Sequence, residues 1–156
     1  MDILFEVEGY KFNVRSSCII KDKKHQKVIL TNMRAIKSHQ AFLLPGGRLE
    51  LTKNSKEAVI REIKEELGID IECNLISIEE IIVKDQNFHM LDFVYYAEIN
   101  GFSGIKNLDD GWDKFKIVNI NEIDKYDIRP KTVKEMIKNK EYNNIEHNIN
   151  YDWGEE

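Results

Sequence analysis

Three glutamates, Glu62, Glu65 and Glu66, crowd into little more than one helical turn, just after Arg61 and downstream of the glycine pair Gly46 and Gly47. With Glu62 at the origin of a helical wheel, Glu66 lies at about 40° and Glu65 at about 300°, while Val59, Ile60, Ile63 and Leu67 fill roughly 60° to 160°. One side of such a helix is core, and beside it runs a stripe of carboxylates. Glu62 and Glu66 are like charges four residues apart, an arrangement that costs roughly 0.2 to 0.5 kcal/mol on an exposed helix. Arg61 can reach Glu65 one turn on but projects about 100° away from Glu62, so it is not expected to neutralise the whole stripe. A hard divalent cation would: Mg²⁺ takes oxygen ligands, keeps some of its waters, and is commonly held by a few carboxylates together with substrate phosphates. Glycines close by let backbone approach such a site because no Cβ intervenes. A bare run of glutamates is also what a solvated helix face shows, so the elements and residues around it decide.

The helix itself is well marked. Asn54 can cap its start with Glu57 three residues on, and Gly68 can take the left-handed turn at its end, so it is expected over Ser55 to Leu67. Ahead of it, β-like segments run from Lys11 to Ile20 and Lys27 to Asn32. The short apolar run Ala41 to Leu44 follows and stops at Pro45-Gly46-Gly47. After it come strands over Leu75 to Val83, Met90 to Ile99 and Phe115 to Ile120, then a helix over Thr132 to Asn139 behind Pro130. Strands on both sides of one strong helix indicate a mixed α/β or α+β domain. No Pro/Gly/Ser-rich linker, repeat or low-complexity block interrupts the chain, so residues 1–156 read as a single domain.

Taken together, Gly47, Arg61-Glu62-Ile63, Glu65-Glu66 and Gly68-Ile69 resemble the Nudix box. Its pattern is a glycine, five residues, a glutamate, seven residues, then Arg-Glu-apolar-x-Glu-Glu-x-Gly-apolar. The stretch FLLPGG ahead of Gly47 also resembles the usual entry to that box. The resemblance implies an α/β/α sandwich with a mixed β-sheet. It also implies a MutT-like hydrolase that cleaves, with Mg²⁺ (Mn²⁺ as substitute), the pyrophosphate linkage of a nucleoside diphosphate joined to another group. By the same resemblance Glu62, Glu65 and Glu66 would hold the metal with the Gly46 carbonyl, Gly47 would permit the turn, and Arg61 would orient a glutamate. The family recruits a further carboxylate from a later loop, for which Asp109, Asp110 and Asp113 are the candidates. One position departs: the family's first glutamate falls at Lys53. Activity is expected to survive because the Arg-Glu-x-x-Glu-Glu core is intact. The alternative within the family is a domain that senses a nucleotide without turning it over.

Arg34, Arg48 and Lys53 are candidate phosphate contacts, with solvated surface charge as the competing explanation. His89 could meet phosphate or pass a proton, and equally could be structural. Phe42, Phe88 and Trp112 could stack on a base or belong to the core. Family members that act on ADP-ribose or on dinucleoside polyphosphates carry a proline or a tyrosine where this chain has Asp85, Gln86 and Asn87, which favours nucleoside triphosphates. The tail, with His147 and Trp153, reads as a packing or homodimer segment.

The 42% apolar and 33% charged content suits a chain able to bury a core, and a formal charge of -5 leaves no diffuse basic surface for polymeric nucleic acid. Cys18 and Cys73 form no CxxC or Cys/His cluster, so reduced thiols are expected rather than a disulfide framework or zinc. The N-terminus carries acids where a secretory signal needs a basic end, and no apolar run approaches membrane-spanning length; a soluble, cytoplasmic protein acting on a small nucleotide is the expectation.

Overall fold

The computed structural model describes residues 1–33, 39–106 and 114–154. In chain order its elements are β1 (Leu4–Val7), β2 (Tyr10–Asp22), β3 (Lys27–Met33), β4 (Ala41–Leu43), β5 (Gly46–Arg48) and α1 (Ser55–Leu67). They continue with β6 (Asn74–Val83), β7 (Phe88–Ile99), β8 (Phe115–Asn119), β9 (Asp127–Ile128), α2 (Lys131–Ile137) and β10 (Glu146–Asn150). Among the described residues all ten strands join in one sheet, in the order β10-β6-β7-β2-β3-β4-β9, with β1 and β5 also on β2 and β8 on β3. The sheet is mixed: β2 runs parallel to β7 from Lys11 to Asp22 and antiparallel to β1, β3 and β5.

The central strands β2, β3 and β7 carry apolar side chains on both faces because each face is covered by a helix. Along β2, Cys18 and Ile20 turn toward α1 and pack with Val59, Ile63 and Leu67, while Ile19 turns the other way and packs with Val133, Met136 and Ile137 of α2. Strands β3 and β7 split likewise: Ile29, Tyr95 and Ala97 lie on the α1 side, Val28, Leu30 and Val94 on the α2 side. This is the α/β/α arrangement. The second helix begins at Lys131 and ends at Ile137, shorter at its C-terminal end than expected. Strands β1, β5, β9 and β10 were not expected at all. No helix among the described residues is long and apolar enough to cross a membrane.

Lys21 is an outlier of this core, 1% exposed on the α2 side. Its ammonium donates to the Asn139 carbonyl at 2.7 Å and lies 5.6 and 5.2 Å from the ring centres of Tyr96 and Tyr142. Burial pulls its pKa down to about 8, with the Glu98 charge opposing. The unfolded chain therefore keeps a proton that the folded chain releases between about pH 8 and 10.5, so the contribution of Lys21 to stability rises with pH across that window. Denaturant titrations of wild type and Lys21→Met check this: the wild type gains on the variant between pH 7.5 and 10.5 by an amount on the order of 1 kcal/mol, and a difference that does not move with pH refutes it.

Candidate active site

Helix α1 is held at both ends by its own sequence. Asn54 Oδ1 accepts from the Glu57 N–H at 2.8 Å while the Glu57 carboxylate accepts from the Asn54 N–H at 3.3 Å, closing a capping box. At the other end Gly68, with φ of 75°, donates its N–H to the Lys64 carbonyl at 3.0 Å. Ala58, Val59, Ile63 and Leu67 are buried, which leaves the three glutamates along the flank where α1 meets β5. Their exposure is graded: 17% for the Glu62 side chain, 26% for Glu66 and 57% for Glu65.

Strand β5 lies against β2, with Gly46 opposite Ser17 and Gly47 opposite Ser16. A Cβ on Gly46 would stand 2.1 Å from the Ser16 carbonyl oxygen, and one on Gly47 would stand 2.6 Å from the carboxyl carbon of Glu62. Neither glycine adopts a positive φ. Gly47 is thus required for clearance, giving the Glu62 carboxylate a seat on the strand, and not for a turn as expected.

Arg61 sits among carboxylates. Its guanidinium is 3.2 Å from Glu62, 3.2 Å from Glu65 and 3.3 Å from Glu50. The expectation that it points away from Glu62 fails because the side chain is long enough to fold back over the helix. Lys114 Nζ meets Glu66 at 3.2 Å. Burial pushes the Glu62 carboxyl above its ordinary pKa; Arg61 opposes the shift, and the charges of Glu66, Glu65 and Asp2 add to it. As arranged, no three acidic, histidine or cysteine side chains among the described residues are placed to hold a metal ion. The chemistry of the donors nevertheless fits a hard cation: three oxygen-only carboxylates share one helix flank, and one of them is half-buried in a cradle that a single methyl group would fill.

Glu50 was missed from the sequence. It reaches Arg61 because the chain doubles back after it, with Lys53 N–H donating to the Glu50 carbonyl at 3.1 Å and Thr52 at φ of 74°. A β-branched residue in the left-handed region signals that the turn is imposed by its surroundings. Lys53 is exposed and makes no ion pair or side-chain hydrogen bond with any described residue; Arg48 is exposed beside Gly47. His89 is not brought to the glutamates. It pairs across the sheet with Phe12, four residues along β2 from the Ser16 that faces Gly47, a separation on the order of 13 Å. Its contacts are Glu80 at 3.5 Å and the edge of the Phe12 ring. Phe42 is 3% exposed and belongs to the core against Tyr126, and Phe88, beside His89 at the start of β7 and opposite Lys11, lies away from the glutamates against Trp153. Arg34, Asp109, Asp110, Trp112 and Asp113 lie outside the described residues. Cys18 and Cys73 are free thiols buried in the layer under α1.

Residues 11–139 match the model of the NUDIX domain family. The chain is 39% identical over 56 residues to an 8-oxo-dGTP diphosphatase from Proteus vulgaris, covering 34% of this chain and 49% of that protein. It is 30% identical over 80 residues to an ADP-ribose pyrophosphatase from Methanocaldococcus jannaschii, covering 51% of this chain and 47% of that one. The chain spans about half the length of these curated relatives. Among solved structures, a mutator MutT protein from Bacillus halodurans superposes with a TM-score of 0.69 at 19% identity over 91% of this chain and 93% of its own. A Nudix hydrolase from Nitrosomonas europaea gives 0.61 at 20% identity over 81% and 86%. These two establish the fold, and the match over most of the sequence establishes more: the chain belongs to the NUDIX domain family.

Proposed function

We propose that this protein is a Mg²⁺-dependent pyrophosphohydrolase of a small nucleotide, a nucleoside triphosphate or a related nucleoside diphosphate derivative, working in the cytoplasm. The observation that carries the reading is the Glu62 carboxylate seated on Gly47 with Glu65 and Glu66 on the same helix flank. The names of the two sequence relatives, each a hydrolase of a nucleotide anhydride, support it. Divalent cations are general to the family, and Mg²⁺ suits this site because every side-chain donor is a carboxylate oxygen. Glu62, Glu65 and Glu66 would hold the cation with the Gly46 carbonyl. When bound, it supplies charge neutralisation on the pyrophosphate and a water of lowered pKa. Arg61, bracketed by Glu50, Glu62 and Glu65, fixes the orientation of the carboxylates. Arg48, exposed next to Gly47, and Lys53, exposed just ahead of the helix start, would meet the phosphate charges. Asp109, Asp110 and Asp113 remain the candidates for an added carboxylate.

A nucleotide sensor without turnover is the second reading, favoured by Lys53 in place of the family glutamate and by Lys114 on Glu66. A panel of nucleotides incubated with Mg²⁺, read for released phosphate, pyrophosphate and mononucleotide, separates the two: turnover of one member supports the enzyme, and binding with no turnover of any supports the sensor.

Lys53 gives a further test. A cation one residue before the helix cap is disfavoured by about 0.3 to 1 kcal/mol, and the side chain has no protein partner among the described residues to offset that. Its role is to meet substrate phosphate. Lys53→Glu is expected to raise KM several-fold while stability holds or improves; an unchanged or lower KM rejects the phosphate contact.

A further inference from the structure

We propose that two copies of this chain associate edge to edge through β10, about a two-fold axis near Asn148. The strand is the last in the sheet order, so among the described residues nothing pairs with its outer edge. Its inner edge is firmly held. It runs parallel to β6 from Glu146 opposite Ser77 to Asn150 opposite Ile81. The Asn148 side-chain amide donates to Glu79 at 2.8 Å and that of Asn150 to the Glu80 carbonyl at 3.3 Å. His147 is 2.6 Å from Glu80 on the opposite face. The result is a fixed row of backbone donors and acceptors facing outward.

Natural edges are usually blunted by lysine, proline or a bulge. From Ile145 to Tyr151 this edge has no lysine or proline and a single charge, Glu146. It carries large apolar side chains instead, with Ile145 61%, Ile149 48% and Tyr151 68% exposed. Ile149 and His147 lie on one face of the strand, and Asn148 and Asn150 on the other.

The sequence of the strand specifies the occupant as a second β10. In an antiparallel pairing centred on Asn148, Ile145 faces Tyr151, His147 faces Ile149 and Glu146 faces Asn150. Ile145 and Tyr151 meet at each end, Ile149 lies against the imidazole of His147, and no like charges are opposed. A two-fold axis makes each contact twice, which a short strand needs. A pairing of this length falls at the low end of specific interfaces, below about 1,200 Å², the size class of transient contacts, so the association is weak and depends on concentration. The catalytic flank of α1 belongs to neither edge and stays open in the pair.

Sedimentation equilibrium of the full chain between roughly 5 and 200 μM tests this. The expected weight-average mass climbs from 18.4 kDa toward twice that value. Ile149→Lys and Tyr151→Glu are each expected to hold it at the single-chain mass, with unchanged circular dichroism and turnover per chain. Both side chains are already substantially exposed in the single chain, so Tyr151→Glu carries the test if Ile149→Lys perturbs folding. A single-chain mass throughout for wild type overturns the proposal. So does a dimer that survives both substitutions, or one lost instead on Tyr10→Lys, which would place the contact on the exposed β1–β2 hairpin.

Discussion

Glu65→Gln and Glu66→Gln are each expected to cut kcat on a nucleotide by on the order of 100- to 1,000-fold, with stability changed by no more than about 0.5 kcal/mol. The amide keeps the shape of the carboxylate and removes its charge, so the loss measures what the charge does. Glu65 lies toward solvent and Glu66 is partly exposed, on a helix whose stability comes from its capping box and from Val59, Ile63 and Leu67, none of which the substitutions touch. Glu66→Gln also releases Lys114, an ion pair with both partners partly exposed and of little weight in folding. Steady-state kinetics and thermal denaturation of the two variants check the expectation. Wild-type rates in both would return the stripe to an ordinary solvated helix face.

Alanine at the two glycines of β5 is expected to separate folding from catalysis. At Gly46 the new methyl meets the Ser16 carbonyl oxygen and the Ser17 backbone, which cannot yield without breaking the β2–β5 pairing. Gly46→Ala therefore loses stability, by roughly 1 to 3 kcal/mol or more. At Gly47 the methyl meets only the carboxyl end of Glu62, a flexible group that can move aside. Gly47→Ala keeps most of its stability and loses kcat by on the order of 100-fold, because displacing a reacting group by about 1 Å is enough for that. Equal losses of stability in the two variants, with activity of Gly47→Ala intact, would contradict the seating of Glu62 on Gly47.

The parts legible in the sequence are those written in local signals. Helix α1 spans Ser55 to Leu67 as its cap residues and apolar spacing require, and the long strands β2, β6 and β7 carry enough alternating or continuous apolar residues to be found within a few positions. The box residues from Gly47 to Ile69 name the family, and the match over residues 11–139 agrees. What sequence periodicity could not give are the elements made by distant partners. Strand β5 is three residues long and exists because glycines let it press on β2. The tail strand β10, rich in Asn and His, is held by Glu79 and Glu80 nearly seventy residues away, as the Asn148 and His147 contacts show. At the site, Glu50 reaches Arg61 only through the turn at Thr52, and the Arg61 side chain bends onto Glu62 against its helical bearing. His89 and Phe42, by contrast, have suitable chemistry in the wrong place, since strand register and burial decide where a side chain ends up.

The most direct test of the central claim is a metal titration of turnover. Purified protein stripped of divalent ions is given its preferred nucleotide, and mononucleotide formation is followed as Mg²⁺ is added and then removed with excess chelator. Turnover is expected to be absent without the cation, to saturate as Mg²⁺ rises, to return with Mn²⁺, and to stop again in chelator, with the melting temperature rising in parallel by mass action. Full hydrolysis in excess chelator would contradict a metal held by Glu62, Glu65 and Glu66.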